Sequence, residues 1–223
     1  STCPPQSRAW VMEAKNLALN HKTGRGSARH ATLYVHGLPV LYTPYFNFPI
    51  DKRRQSGFLY PRLSFGSQTG FGLGLPYYWN IAPNYDDTFT PGFYAKRGAA
   101  FNNLFRYLTP TSSGNLNLSY LPNDWEFRRF QQYEPTQIPA STPGVEELKN
   151  ANSRRSALQF DNTSKFGQNW MAVVHYARVS DDYYLQDFGD INTPAHNQLL
   201  QQGEVIYTDP DWSMLANLQA YQT

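Results

Sequence analysis

From Phe58 onward the chain alternates apolar and polar residues at a period of two, in blocks separated by turn residues. Phe58 to Ser67 sets Leu59, Pro61, Leu63 and Phe65 on one face and Tyr60, Arg62, Ser64 and Gly66 on the other. After a turn at Gln68-Thr69-Gly70, the block Phe71 to Tyr78 opposes Phe71, Leu73, Leu75 and Tyr77 to Gly72, Gly74 and Pro76. The clearest alternation is Leu116, Leu118 and Tyr120 against Asn115, Asn117 and Ser119. Further strands are predicted at Asp87 to Ala95, Ala100 to Leu108, Ala157 to Ser164, Asn169 to Val179, Leu199 to Tyr207 and Trp212 to Tyr221. In the Asn169 to Val179 strand, Trp170, Ala172, Val174 and Tyr176 form the apolar face. Residues 122–153 are polar and proline-rich and predict an exposed loop, and a second loop is expected over about Ser180 to Asn197.

The first 50 residues read differently. Trp10 to Ala14 and Leu17 to Leu19 are short apolar pieces, followed by a turn at Lys22 to Gly26. Ala28 to His36 and Val40 to Tyr42 flank a break at Gly37-Leu38-Pro39. Strands of this kind fit a sandwich or jelly roll, but they are too few to close a two-sheet core. Pro44 and Pro49, with Asp51 to Gly57, predict a stiff, extended junction.

Composition sharpens the second region. Of 223 residues, 16% are aromatic and only 16% charged, against about 25% charged in an ordinary soluble domain. No run approaches the roughly 20 apolar residues of a membrane-spanning helix. The mean hydropathy of -0.59 leaves room for a barrel, whose strands alternate lipid-facing and lumen-facing residues. A soluble sandwich would alternate similarly, but the large aromatic set on successive strands would expose more apolar surface than water tolerates. A net charge of +2 and the lack of an aromatic-basic RNA motif argue against nucleic-acid binding. Ser1 does not begin a signal peptide, and the last alternating segment stops abruptly, so the chain reads as an internal fragment.

Little catalytic chemistry is legible. Asp86-Asp87, Asp181-Asp182 and Asp209/Asp211 could pair as glycosidase acids, but adjacent acids in turns point apart. Asp187 to Asp190 and Asp209 to Asp211 lack a complete calcium-loop pattern. His21, His30, His36, His175 and His196 show no zinc-binding spacing, and there is no nucleophile elbow or phosphate loop. No catalytic residue, metal or cofactor is expected. Cys3 is the single cysteine and cannot form an internal disulfide, leaving an inert or reactive thiol.

Proline supplies the remaining signal. Pro61 and Pro76 sit inside two successive predicted strands and donate no backbone N–H. They mark strand ends or bulges, or a seam that opens cheaply in a barrel otherwise without edges. Tyr77-Tyr78-Trp79 after Pro76 has the amphipathic rings of a membrane-interface girdle.

The stretch Leu75 to Asp86, together with Tyr42-Thr43-Pro44-Tyr45, Pro49 to Pro61 and Phe105-Arg106-Tyr107-Leu108, closely resembles the LptD family (Imp/OstA) of outer-membrane LPS-assembly proteins. The resemblance runs from Thr2-Cys3 to Val179-Ser180-Asp181 and weakens beyond. It implies an all-β fold: residues 1–50 end a periplasmic β-jelly roll, and residues 51–223 begin a large antiparallel transmembrane β-barrel. It also implies that lipopolysaccharide passes through a lateral gate at Pro61 and Pro76, with Leu59, Leu63 and Phe65 facing lipid. Lys52, Arg53, Arg54 and Arg62 around that seam would contact LPS phosphates, or serve as ordinary juxtamembrane charge. Cys3 matches a family cysteine bridged to a distant one outside this chain. The implied partners are LPS, membrane lipid, the lipoprotein plug LptE and the periplasmic bridge protein LptA, in the outer membrane of a Gram-negative bacterium. A passive porin is the main alternative, and a secreted carbohydrate-active sandwich enzyme the second.

Overall fold

The structure, a computed structural model, describes residues 10–51, 54–137, 146, 150, 152–188 and 198–222. It divides into two compact units, Ser1–Leu59 and Tyr60–Thr223. The architecture is all-β, with helical segments confined to the long connections among the described residues. No described helix is long and apolar enough to cross a membrane, which leaves strand-built spans untouched.

In the first unit β1 (Trp10–Asn20), β2 (Arg25–Val35) and β3 (Leu38–Pro49) form an antiparallel sheet with β2 in the middle; β4 (Gly57–Phe58) is a two-residue strand. The two short apolar pieces expected before the first turn are one strand, because β1 pairs β2 along its length, from Trp10↔Val35 to Asn20↔Arg25. The expected break at Gly37 is a tight turn made by left-handed His36 (φ 47°) and Gly37 (φ 81°). Pro44, expected in the junction, lies inside β3 instead. An outer strand tolerates it, and paired positions skip from Arg29↔Tyr45 to Ala31↔Thr43. The skipped residue, His30, has φ 51°, and there burial changes phase: Gly26 and Ala28 are buried before it, Ala31, Leu33 and Val35 after it. The left-handed residue thus keeps the small and aliphatic side chains on one side.

The second unit is a meander. Its strands are β5 (Arg62–Gly66), β6 (Gly70–Gly74), β7 (Tyr77–Ala82), β8 (Tyr85–Tyr94), β9 (Gly98–Leu108) and β10 (Ser112–Leu121), then β11 (Arg155–Phe166), β12 (Trp170–Val179), β13 (Leu199–Thr208) and β14 (Ser213–Gln222). Neighbours run β14-β13-β12-β11-β10-β9-β8-β6-β5, all antiparallel, with β7 also on β8. The sheet does not close on itself among the described residues.

Register puts the large apolar residues on one face. Phe89 pairs Asn103, Phe101 pairs Tyr120, Leu118 pairs Leu158, Phe166 pairs Trp170, and Ala172 pairs Val205. Many stay exposed, Leu118 at 40% and Trp170 at 48%. The opposite face carries hydrogen-bonded polar side chains: Arg106 grips Asp86 at 2.8 Å, Asn102 donates to Ser119 at 2.9 Å, and Gln202 donates to Glu204 at 2.7 Å.

All long connections leave the same end of this sheet. The loop expected over 122–153 contains helix α1 (Trp125–Gln137), and the second expected loop contains α2 (Tyr184–Phe188). Sequence reading missed α1 because its cue is one residue. Asp124 caps it, its Oδ1 accepting the Glu126 and Phe127 N–H groups at 3.1 and 3.0 Å. At the other end β7–β8, β9–β10, β11–β12 and β13–β14 are joined by tight turns.

A buried ionic cluster binds the long-connection end together. Arg155, at the start of β11, has no exposed side-chain surface; it bridges Asp181 at 2.7 Å, Asp124 at 3.1 Å and Asp187. Arg97, from the β8–β9 turn, joins Asp124 at 3.0 Å and Asp187 at 2.6 Å. Phe127, Tyr184 and Phe188 cover the Arg155 guanidinium, with ring centroids 4.7 to 5.5 Å away. Burial pushes the Tyr184 phenol up to about 12. Removing one partner leaves buried charge without compensation. Arg155→Met should therefore destabilise the unit by about 3–5 kcal/mol. Denaturant melts should read that loss, with α1 and α2 becoming cleavable by protease before the sheet.

Candidate functional site

The two prolines singled out from sequence each interrupt a strand. Pro61 lies between β4 and β5, so the expected strand Phe58 to Ser67 is divided; Leu59 and Pro61 belong to no strand and share no pleated face with Leu63 and Phe65. Pro76 lies between β6 and β7, and its side chain is buried. Leu63 and Phe65 remain on the apolar face, where Phe65 is 67% exposed and its ring centroid lies 5.3 Å from that of Phe71.

The interruption at Pro76 is a gap, not a slip. β6 pairs β8 through Gly72↔Tyr94, Leu73↔Phe93 and Gly74↔Gly92, and β7 resumes in the same register with Tyr77↔Phe89. Between them Leu75 N–H still donates to the Pro91 carbonyl at 2.9 Å. Leu75 and Pro91 are therefore a hydrogen-bonded pair with one bond of two, because Pro91 has no N–H to return.

Alternation along an antiparallel ladder then fixes where each proline removes a donor. Odd-numbered residues of β6 bond toward β8, so position 76 faces the β5 side. Pro61 immediately precedes the last β5–β6 pair, Arg62↔Gly74, and lies outside the ladder. Pro76 and Pro91 therefore lack donors on opposite sides of the β6 path at nearly one height, with Pro61 just beyond the end of β5. Sequence reading missed Pro91, although the equal spacing of 61, 76 and 91 was there to be seen.

Glycine thins the same region. A Cβ on Gly92 would meet the Leu73 carbonyl at 2.9 Å, and one on Gly74 would meet Thr90 Cγ2 at 3.1 Å. A Cβ on Gly72 would strike Ser64 Oγ and lie 2.9 Å from the Tyr94 ring. These bare positions, with Arg62 and Ser64, border a cavity of about 210 Å³.

The other predicted residues are not gathered here. Arg62 is exposed on the polar face of β5, and Arg54 is exposed in the first unit. Lys52, Arg53 and Cys3 lie outside the described residues. Asp86, Asp87, Asp181 and Asp209 each hold structural partners. Asp86 points to Arg106, whereas Asp87 points to the other face and accepts Asn103 Nδ2 at 2.8 Å. Asp181 is an Arg155 partner. Asp209 closes the β13–β14 turn; the Tyr207 hydroxyl and the N–H groups of Asp211 and Trp212 hold its carboxyl below the ordinary range. Among the described residues no acid, histidine and cysteine group is arranged to hold a metal.

Gly72→Ala should force Ser64 and Tyr94 apart and cost about 1–3 kcal/mol. Hydrogen exchange should show it as faster exchange at Ser64 and Leu73, with little change in β11 to β13.

Comparison with known proteins converges on one family. A family model described as "LptD protein" matches residues 27–170, and one described as "LPS transport system D" matches residues 153–223. The LPS-assembly protein LptD of Legionella pneumophila (strain Lens) is 41% identical over 224 residues, covering 100% of this chain and 26% of that protein. That of Coxiella burnetii is 40% identical over 233 residues, covering 100% of this chain and 27% of its own length. That of Pseudomonas fluorescens is 42% identical over 225 residues, covering 100% and 22%. The chain spans about a quarter of the length of these relatives.

Proposed function

The chain belongs to the LptD family, a family of LPS transport and assembly proteins rather than enzymes, and on that premise we propose that it carries the exit gate for lipopolysaccharide. In this reading residues 1–50 end a periplasmic jelly roll, and residues 51–223 begin a transmembrane barrel in the outer membrane of a Gram-negative cell. The apolar face of the second unit meets lipid, and the polar face lines the lumen. The asymmetry of the connections supports an orientation with the short turns toward the periplasm and the α1 and α2 connections outward, as in outer-membrane barrels.

The observation that carries the gate is the alignment of ladder gaps at Pro61 and Pro76. A ladder bond contributes about 0.5–1.5 kcal/mol net, so each missing donor lowers the cost of parting neighbouring strands by about that amount. Acyl chains leave laterally through the weakened seam into the bilayer, while the sugars travel along the polar face. Leu63 and Phe65 line the lipid side; Arg54 and Arg62, with Lys52 and Arg53, supply charge for phosphates. Nothing in the chain has a nucleotide-binding motif, and the work is done elsewhere, reaching this protein through the periplasmic bridge protein LptA. LptE plugs the barrel in the same reading.

Pro61→Ala combined with Pro76→Ala restores two donors and should slow LPS delivery severalfold without unfolding the sheet. A photo-crosslinker at Leu63, or at Leu59, should capture LPS in cells, and one at Leu118 should capture much less. Equal capture at both places, with unimpaired export in the double variant, would leave an ordinary channel. Cys3 should be oxidised to a distant cysteine of the longer protein. Non-reducing electrophoresis tests this: the wild type should show an oxidised form that Cys3→Ser lacks, and a fully reduced wild type in working membranes rules it out.

A further inference from the structure

We propose that the gate opens as a two-strand flap, the β5–β6 hairpin, which pivots on Leu75-Pro76 and Pro91 and is latched at its tip by Lys96 and Arg97. This rests on the transport reading above and says which part of the sheet moves.

The hairpin is better joined to itself than to the sheet. β5 and β6 pair at five positions, Arg62↔Gly74 to Gly66↔Gly70, whereas the β6–β8 ladder holds three, flanked by single bonds from the Ala95 N–H to the Phe71 carbonyl at 2.8 Å and from the Leu75 N–H to the Pro91 carbonyl at 2.9 Å. The next seam, β8–β9, holds ten. Peeling β5 alone breaks the stronger pairing, and opening β8–β9 breaks the strongest. The weakest line is β6–β8. Its ladder is the shortest of the three, and below it Pro91 leaves Leu75 with half a bonded pair.

Movement along that line stops at Pro76. β7 continues the strand path and stays paired with β8 from Tyr77↔Phe89 to Ala82↔Tyr85. The interrupted backbone at Leu75-Pro76 supplies the pivot. The flap therefore frees only the half of the sheet nearest α1 and α2, while the half nearest the short turns remains bonded. In the orientation proposed above, the free half borders the outer leaflet. Opening there admits lipid to one leaflet and keeps the other sealed.

The flap's tip, Ser67 to Thr69, is tied down. Lys96 Nζ donates to the Ser67 carbonyl at 2.7 Å, Arg97 Nε to the Gln68 carbonyl at 3.0 Å, and Lys96 N–H to the Thr69 carbonyl at 3.2 Å. Arg97 is held in turn by Asp124 and Asp187, so the latch is anchored in the buried ionic cluster.

A crosslink separates this from opening of the outer seam alone. Leu73 and Phe93 are directly paired, and hydrogen-bonded antiparallel pairs have Cα atoms about 5.5 Å apart, within disulfide reach. In the full-length protein in intact cells, Leu73→Cys with Phe93→Cys should cut LPS delivery at least tenfold under oxidation, and reductant should restore it. The control, Tyr77→Cys with Phe89→Cys, ties the anchored half and should change delivery less than twofold. Pro91→Ala should slow delivery severalfold, and Lys96→Ala should raise exchange at Leu73 while leaving Trp79 unchanged. Full delivery with positions 73 and 93 joined overturns the flap. If that happens while Leu63 still captures LPS, the transport reading survives; if Leu63 captures none, the transport reading falls independently.

Discussion

Two buried guanidinium groups set the frame of the second unit. Arg97 and Arg155 share Asp124 and Asp187, and Arg155 adds Asp181. Buried charge is tolerated only when fully paired, so the β8–β9 turn, the cap of α1, the start of β11 and the approach to α2 must meet at one place. The β5–β6 turn is then drawn in through the Gln68 carbonyl. Long polar connections that would otherwise wander are organised around a charge constellation, while the sheet beneath is organised by alternation.

Stiffness and weakness are distributed unevenly. β8 to β14 are ten to twelve residues long and continuously paired, whereas β5 and β6 have five residues each. The short strands lie where the prolines remove donors and the glycines remove side chains. An ordinary sheet would repair such a place with a bulge or a charged edge. Here the register is kept across the gap, from Gly74↔Gly92 to Tyr77↔Phe89, so the strands close again in the same alignment after parting.

The alternating strands were legible in sequence because a half-buried sheet imposes period two on every residue. Leu116, Leu118 and Tyr120 were read correctly as one face, and so were Trp170, Ala172, Val174 and Tyr176. The prolines were legible as anomalies within that pattern. Pro91 was overlooked because its effect depends on which rail of the ladder it occupies, and that is a property of paired strands. Pro44 was misplaced in the junction because tolerance in an outer strand cannot be read from one strand alone. The helix after Asp124 and the Arg97–Arg155 cluster were invisible for a different reason. Their partners are scattered over three connections, and no local pattern joins an arginine to aspartates so far along the chain.

That separation has a bearing on how the molecule is built. Each strand of the meander pairs mainly with the strand just before it, so pairing can advance one hairpin at a time with short loops to close. Arg97 and Asp187 are 90 residues apart, and their bond forms only after β12 has been laid down. Until then Arg97 and Arg155 lack the Asp187 carboxylate that they share. The cluster is thus the most non-local element of the second unit, completed only when the chain through α2 is in place, whereas each hairpin beneath it closes from neighbours in sequence.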